Sequence, residues 1–222
     1  MITITIIQKK KLHKKLAEYL KQQKKEWKSP LIYAGGKYYQ SLEEVGIKGM
    51  RNTEQRFIDY ELKDYLNPQK KVLDIGGNTG FFSIYISQFV NSCDVVEINP
   101  FFCEIGKKVA RFLDRNVNFY TIDFKDFQTK KEYDAVISFA ADDVADGLSA
   151  LKFENYIEKI RSLLKEKGLI FFESQAEDIF YGKFGPKLEY LKEKFNILLQ
   201  KKVKSSYPIN VPERIFVIGE KK

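Results

Sequence analysis

Apolar and polar positions alternate in blocks along most of the chain. Short apolar runs predict strands at 71–75, 93–97, 117–121, 133–138 and 168–173. Between most of these runs, apolar residues recur at helical spacing, at 79–90, 100–113 and 150–164. A helix at 184–194 precedes two further runs, 195–203 and 213–221, which predict a closing antiparallel pair. The alternation is typical of parallel strands joined by right-handed crossovers, so it predicts an α/β sheet with helices on both faces.

The start of the chain follows a different pattern. From Leu12 to Trp27, apolar residues at helical spacing form one stripe, and lysines occupy most of the other positions. We interpret this segment as a basic amphipathic helix that docks its stripe on the main domain and leaves its lysines in water. Contact with RNA or with an acidic membrane surface is the alternative interpretation.

A segment rich in tyrosine, glycine and polar residues follows this helix. Residues 29–57 predict irregular structure that covers part of the main domain. A helix is predicted at 53–66, where an Asn-Pro pair ends it. We therefore expect an amino-terminal basic helix and cover at 1–67 and a main domain at 68–222.

The positive charge is concentrated in the first segment. The 222 residues carry a formal net charge of +8, and residues 1–28 alone hold nine lysines against two glutamates. The remaining chain is close to neutral, so the generally basic surface of a duplex-binding protein is not indicated there. A nucleic acid is therefore a less favoured partner than a small molecule.

Cysteine usage and hydropathy indicate a cytoplasmic protein. Cys93 and Cys103 are the only cysteines, too few for a disulfide framework or a zinc cluster. The apolar start MITITII lacks the preceding basic residues of a secretory signal. No apolar run approaches the roughly 20 residues that span a membrane. We expect a soluble monomer or homodimer without a membrane span.

The stretch VLDIGGNTG, residues 72–80, combines a buried strand, an acid and a glycine turn. Its glycines are spaced G-G-x-x-G, whereas dinucleotide sites favour G-x-G-x-x-G, and no Walker-type Gly-Lys-Ser or Gly-Lys-Thr follows. Asp74 at the end of the strand is an unfavourable neighbour for a pyrophosphate. It suits a ligand with a cationic head.

This stretch resembles the first motif of class I S-adenosylmethionine-dependent methyltransferases: an acid, one residue, then small residues at alternate positions. Here they are Asp74, Gly76, Asn78 and Gly80, and Asn78 stands where the family more often has glycine. Four later segments resemble the family's landmarks in order: VVEINP (95–100), YTIDF (120–124), YDAVISFAADD (133–143) and LLKEKGLIFFES (163–174). The resemblance covers residues 71–219. It implies a Rossmann-like, seven-stranded, mostly parallel sheet with an antiparallel last strand, S-adenosylmethionine as cofactor and S-adenosylhomocysteine as product.

The resemblance also implies a cofactor site along these segments. Its candidate residues are Asp74, Gly76, Gly77, Asn78, Gly80, Phe81, Glu97, Ile98, Asn99, Asp123, Phe124, Ser138 and Phe139. Glu97 is expected to accept both ribose hydroxyls, Asp123 to lie near the adenine amino group and Phe124 to lie against the adenine ring. Taken singly, each acid also suits a strand-end carboxylate that caps the next helix.

The residues after the fourth strand argue against several classes of methyl acceptor. Ser138, Phe139, Ala140 and Ala141 replace the Asn-Pro-Pro-Tyr of the branch that methylates planar amides, and the cysteine needed for cytosine C5 methylation is absent there. Asp142 and Asp143 are candidate catalytic bases, although a capping cluster for the next helix is an equal alternative. His13 is a less favoured base. Glu173-Ser174 replaces the Asp-Asn pair of the metal-dependent catechol branch, so no metal site is predicted.

The acceptor is expected to bind among the cover, the rim after the fourth strand and the stretch after the fifth. Tyr39, Arg51 and Tyr181 are the candidate substrate-binding residues. Arginine and tyrosine suit an anionic or hydroxylated small molecule, such as a sugar or phosphate derivative, methylated at oxygen rather than nitrogen. Two alternatives stay open: a tRNA-modifying enzyme, since residues 41–57 faintly resemble the wobble-uridine carboxymethyl-transfer family, and a non-catalytic cofactor-binding module.

Overall fold

The computed structural model describes residues 5–27, 38–142, 151–206, 208 and 210–222, and within these ranges the chain forms seven α-helices and nine strands. In chain order they are α1 (Ile6–Glu26), β1 (Tyr38–Gln40), β2 (Gly49–Arg51), α2 (Thr53–Asp59), β3 (Lys71–Ile75), α3 (Phe81–Ile86), β4 (Ser92–Glu97), α4 (Pro100–Phe112), β5 (Val117–Thr121), β6 (Tyr133–Phe139), α5 (Phe153–Leu163), β7 (Leu164–Glu173), α6 (Ala176–Phe180), α7 (Phe184–Lys194), β8 (Phe195–Lys204) and β9 (Glu213–Lys221).

Seven strands form one sheet in the order β5-β4-β3-β6-β7-β9-β8. The first five in this order are parallel neighbours, and β9 pairs antiparallel with both β7 and β8. The predicted seven-stranded sheet with an antiparallel last strand is therefore confirmed. Because β8 runs in the same direction as β3 to β7, it ends at the same edge of the sheet as they do. We call this the carboxyl edge.

Helices cover both faces of the sheet, as predicted. On one face, Ile157 and Ile160 of α5 and Leu191 of α7 pack in one buried cluster. On the opposite face, Phe57 of α2 and Phe82 of α3 pack in another. Successive strand residues point to alternate faces, so each strand contributes to both clusters. This arrangement leaves the carboxyl edge as the place where loops meet.

Helix α1 docks on the domain through its apolar stripe. Leu12 and Leu16 are buried in a cluster with Phe102, Ile105 and Val109 of α4, and most of the lysines of α1 are exposed. The docked-helix interpretation agrees with this packing. None of the described helices has both the length and the apolar character needed to span a membrane.

The predicted helix at 53–66 is wrong in its second half. Helix α2 ends at Asp59, and Glu61 has a positive φ of 56° before a short 3-10 turn. Tyr60 and Leu62 are both fully buried. Residues two apart on a helix face in different directions, so the helix must break for both side chains to reach the same core.

Candidate active site

A turn with positive φ joins β3 to α3 at the carboxyl edge. Gly76 and Gly80 have φ of +64° and +67°, and Asn78 between them has φ of 56°. A Cβ added at Gly77 would lie 2.8 Å from Oδ2 of Asp74 and 2.7 Å from the Val95 side chain. The turn therefore packs so closely against the Asp74 carboxylate and Val95 that only glycine fits at position 77.

Asp74 is a buried carboxylate at the end of β3. Its Oδ2 accepts a hydrogen bond of 2.6 Å from the Ser83 hydroxyl of α3. Burial raises the pKa of Asp74 to about 6, although the Ser83 hydroxyl and the Arg56 charge act in the opposite direction. A cationic group beside Asp74 would stabilise its charged form.

Glu97 links the glycine turn to the loop after β4. Its two carboxylate oxygens accept hydrogen bonds from the backbone N–H groups of Asn78 (2.9 Å) and Asn99 (2.8 Å). The side chain of Asn99 caps α4 by accepting from Phe101 and Phe102, and Ile98 is half-buried beside it. Each oxygen of a carboxylate can accept more than one hydrogen bond, so Glu97 is held in place and still able to bind hydroxyls.

Asp123 and Phe124 follow β5. Asp123 accepts from the backbone N–H of Lys125 (2.9 Å) and forms an ion pair with the Lys125 ammonium (3.1 Å). The Phe124 ring is largely buried in the α5 face of the core, with the Tyr156 ring 5.3 Å away and the Lys159 ammonium 5.0 Å above it. Asp123 therefore closes a turn, and the helix-capping role considered for it is not found, because no helix lies between β5 and β6 in this described stretch of the chain.

The end of β6 brings two predicted residues into a packed position. Ser138 is fully buried and its hydroxyl lies 2.8 Å from the Tyr156 hydroxyl. Phe139 is half-buried, with edge-on contacts to Tyr60 and Phe82. Phe81, in contrast, is fully buried in the cluster below α1, so only its backbone can line a site.

Asp142 lies in the loop after β6, where Ala141 packs against Gly76 of the glycine turn. Its Oδ2 accepts from the Lys187 ammonium at 2.6 Å, and Lys187 also pairs with Asp178. Burial raises the pKa of Asp142 to about 6 against the effect of Lys187. Within the described residues its Oδ1 has no hydrogen-bond partner. Asp143, the other predicted base, lies outside the described residues.

The His13 side chain lies away from the glycine turn, between α1 and the cover. His13 donates through Nε2 to the Val45 carbonyl at 2.7 Å and so ties α1 to the cover. In the ranges that the structure describes, no three His, Cys, Asp or Glu side chains gather as metal ligands would.

Three buried arginines surround one glutamate at the end of β7, and we call this group the arginine cluster. Arg51 binds both oxygens of Glu173, at 3.0 and 3.1 Å. Arg56 binds one oxygen at 3.1 Å, and Nε of Arg214 lies 3.9 Å from the other. The Tyr60 hydroxyl also donates to Glu173. Burial alone would raise the pKa of Glu173, but the arginines lower it to about 2.

The sequence predicts only one of the four charged residues of the arginine cluster as part of a site. Arg51 and Tyr39 were predicted as acceptor-binding residues, and the structure brings them together, with a guanidinium-to-hydroxyl distance of 3.4 Å. Arg51 is, however, 1% exposed and directed at Glu173. Glu173 and Arg214 were missed, and the available signal was a charged residue at the end of an apolar run. Tyr181 is 62% exposed, and its ring contacts Phe180 and the Lys183 ammonium.

Comparison with known proteins gives the family and the fold of the chain. The family model described as "Methyltransferase domain" matches residues 48–202. A search of curated proteins finds no match. The N-methyltransferase NodS from Bradyrhizobium japonicum WM9, solved with S-adenosyl-L-homocysteine, has a TM-score of 0.59 at 13% identity, over 75% of this chain and 84% of that one.

Two other solved structures have a similar fold. The PH0226 protein from Pyrococcus horikoshii OT3 has a TM-score of 0.59 at 18% identity, over 76% of this chain and 91% of that one. The tRNA m1G37 methyltransferase of M. jannaschii has a TM-score of 0.53 at 15% identity, over 74% of this chain and 48% of that one. At these identities the likeness establishes the fold alone.

The arginine cluster predicts a large loss of stability on removing its carboxylate. Glu173→Gln leaves three buried guanidinium groups without a counter-charge, so the free energy of unfolding in urea should fall by about 3–5 kcal/mol. Glu189→Gln, at an exposed helix position, is the matched control and should change it by less than about 0.5 kcal/mol.

The difference in unfolding free energy between wild type and Glu173→Gln should also depend on pH. The pKa of Glu173 in the folded protein, about 2, lies below its ordinary value of 4.5. Its stabilisation is therefore fully present above pH 4.5 and is lost as the pH falls towards 2. The gap between wild type and Glu173→Gln should narrow over this range, and a gap that stays constant would contradict the role of the ionised carboxylate.

Proposed function

This chain belongs to the methyltransferase-domain family and is an S-adenosylmethionine-dependent methyltransferase, and from this premise we propose that it methylates a small anionic or hydroxylated acceptor at oxygen. The observation that carries the proposal is the position of the arginine cluster. The Arg56 guanidinium lies 4.8 Å from the centre of the Phe139 ring, at the end of β6. Cations are therefore next to the strand end at which the family places the methyl group.

The residues around the glycine turn fit S-adenosylmethionine. Asp74 ends β3 beside the glycine turn, with its carboxylate against the backbone of Gly77, and we assign it to the positively charged amino group of the cofactor. We assign Glu97 to the ribose hydroxyls and Asp123 to the adenine amino group, with Phe124 beside the ring. The remaining lining consists of Gly76, Gly80, Asn78, Ile98, Asn99, Ser138, Phe139 and the backbone of Phe81.

The chain's own task in the reaction is mainly positioning. The bound cofactor supplies a methyl group that is already activated by the positive charge on its sulfur. Holding the acceptor in line and excluding water can contribute several kcal/mol, up to about 7–11 in ideal cases. We assign the holding of the acceptor to Tyr39 of the cover and to Tyr181, and we assign to the buried Arg51 the positioning of the Tyr39 hydroxyl, 3.4 Å from its guanidinium.

A hydroxyl acceptor must lose a proton, and Asp142 is the proposed base. Its Oδ1 is buried and accepts no hydrogen bond within the described residues, and its pKa of about 6 lies near the pH at which such an enzyme works. The hydroxyl proton would pass to Oδ1 while Lys187 holds Oδ2. Asp143 is the alternative base.

A second candidate function is RNA modification, which the exposed lysines of α1 favour. These lysines lie on a docked helix, and a helix held in a fixed position can present them to a phosphate backbone. A non-catalytic cofactor-binding module is the third candidate, since the same acids would then serve binding alone.

Transfer of label from methyl-labelled S-adenosylmethionine tests the acceptor class. The purified protein is incubated with a host-cell extract, and RNA, protein and small molecules are separated before counting. Label in the small-molecule fraction is the expected result. Label in RNA would replace the proposal with the second candidate, and no label despite cofactor binding would favour the third.

Glu97→Ala tests the assignment of the ribose. Loss of a charged acceptor should weaken S-adenosylhomocysteine binding, measured by calorimetry, by about tenfold or more, which corresponds to about 1.4 kcal/mol. Glu104→Ala removes a half-buried glutamate of α4 that pairs with Lys107; it is the control and should bind as the wild type does. Unchanged affinity in a folded Glu97→Ala protein would rule out this placement of the ribose.

Cofactor affinity should also depend on pH through Asp74. Protonation of Asp74 removes the negative charge that faces the cofactor's amino group, so S-adenosylhomocysteine binding should weaken below pH 6 by at most about tenfold per unit. Asp74→Asn should bind weakly without this dependence. Asp142 has a pKa in the same range, so Asp142→Asn is the control that should keep it. The assignment fails if Asp74→Asn retains the wild-type pH profile.

A further inference from the structure

A cleft of about 530 Å³ lies between α2 and the end of β8. We call it the basic cleft, because its lining includes Arg51, Arg56, Lys201, Lys202 and Lys204 and, in the described part of the chain, Asp59 as its one acid. Since β8 ends at the carboxyl edge of the sheet, the cleft opens on the same edge as the glycine turn. It lies toward the opposite end of the strand order.

The floor of the basic cleft belongs to the arginine cluster. Arg51 and Arg56 are 1% and 5% exposed, and both share Glu173 with Arg214. The three guanidinium groups have one carboxylate among them within the described residues. The neighbouring Arg51 charge is one of the causes, after burial, that lower the pKa of Arg56. A second anion near this floor would relieve the repulsion between the arginines.

The walls of the basic cleft add lysines that are only partly neutralised. Lys201 pairs with Glu61 at 2.5 Å and Lys202 with Glu213 at 3.2 Å. Lys204 is exposed, and among the described residues it forms no ion pair. Among the residues that the structure describes, floor and walls together contain six cations, Arg51, Arg56, Arg214, Lys201, Lys202 and Lys204, against four acids, Glu173, Glu61, Glu213 and Asp59. The cleft thus has an excess of two positive charges.

A phosphate monoester matches this excess. It carries a charge of about −1.5 to −2 near neutral pH and has three strong acceptor oxygens. Guanidinium and ammonium groups are the usual partners of such oxygens. The cleft volume lies within the range of small-molecule sites, about 300–1,000 Å³, so it leaves room for the group that the phosphate is attached to.

The floor of the basic cleft continues to the end of β6. Arg56 lines the cleft, and its guanidinium lies 4.8 Å from the centre of the Phe139 ring. We propose that the basic cleft binds a phosphate group of the methyl acceptor and so places the rest of the acceptor over the end of β6. The link to the acceptor rests on the proposed function. The shared chemistry is a phosphate, from either a small phosphate ester or an RNA backbone.

Calorimetry on the full chain saturated with S-adenosylhomocysteine tests the site. The probes are inorganic phosphate and a single-stranded RNA hexamer. The cleft variant is Lys202→Gln with Lys204→Gln, and the control is Lys10→Gln with Lys14→Gln, which removes two exposed lysines from α1. Phosphate binding should weaken by about fivefold or more in the cleft variant and by less than about twofold in the control. S-adenosylhomocysteine affinity should be unchanged in both.

The outcomes test three things separately: the phosphate site, the source of the phosphate and the proposed function. RNA binding that is lost only in the cleft variant supports the phosphate site and identifies the backbone as its source. Absence of phosphate and RNA binding, or equal loss in the cleft and control variants, overturns the inference. If the labelled-methyl assay marks a small molecule and the cleft variant methylates it with unchanged KM, the inference fails while the proposed function stands. Phosphate binding confined to the cleft without any labelled small molecule leaves the site standing and the proposed function refuted.

Discussion

The arginine cluster is the constraint on which the carboxyl edge depends. Glu173 ends β7, and its partners come from the cover (Arg51 and Arg56), from the turn after α2 (Tyr60) and from β9 (Arg214). These groups are buried, and a buried charge is tolerated only when it is paired and hydrogen-bonded. The amino-terminal cover is thereby fixed to the strand pair that closes the sheet.

The carboxyl edge is divided by charge. Acids at the ends of β3, β4 and β5, namely Asp74, Glu97 and Asp123, form one side, and the arginine cluster and the lysines of β8 form the other. Ser138 and Phe139 at the end of β6 lie between the two sides. An acidic side suits a cofactor with a cationic head, and a basic side suits an anionic acceptor. One edge of the sheet could therefore keep the cofactor and the proposed anionic acceptor in separate places.

The strand order also determines which charged residues reach the carboxyl edge. Because β9 is inserted antiparallel between β7 and β8, the end of β8 and the start of β9 both reach the carboxyl edge. This brings Arg214 close to Glu173, which also binds Arg51 and Arg56 of the cover. In a sheet that ended at β7, the cations of the last two strands would be absent from the edge.

The sequence by itself determined the strand and helix pattern, the glycine turn and the three strand-end acids, because each depends on neighbouring residues and a period of two or 3.6. It also predicted Asp142 as a base, and the structure places this residue in the loop after β6 as a buried carboxylate paired with Lys187. Only the tertiary structure decided the helix break at Glu61, the burial of Phe81 and the partner of Arg51. Arg51 and Glu173 are 122 positions apart, and no local pattern encodes a pairing of that separation. The fold sets it by bringing together elements that must neutralise each other's charge.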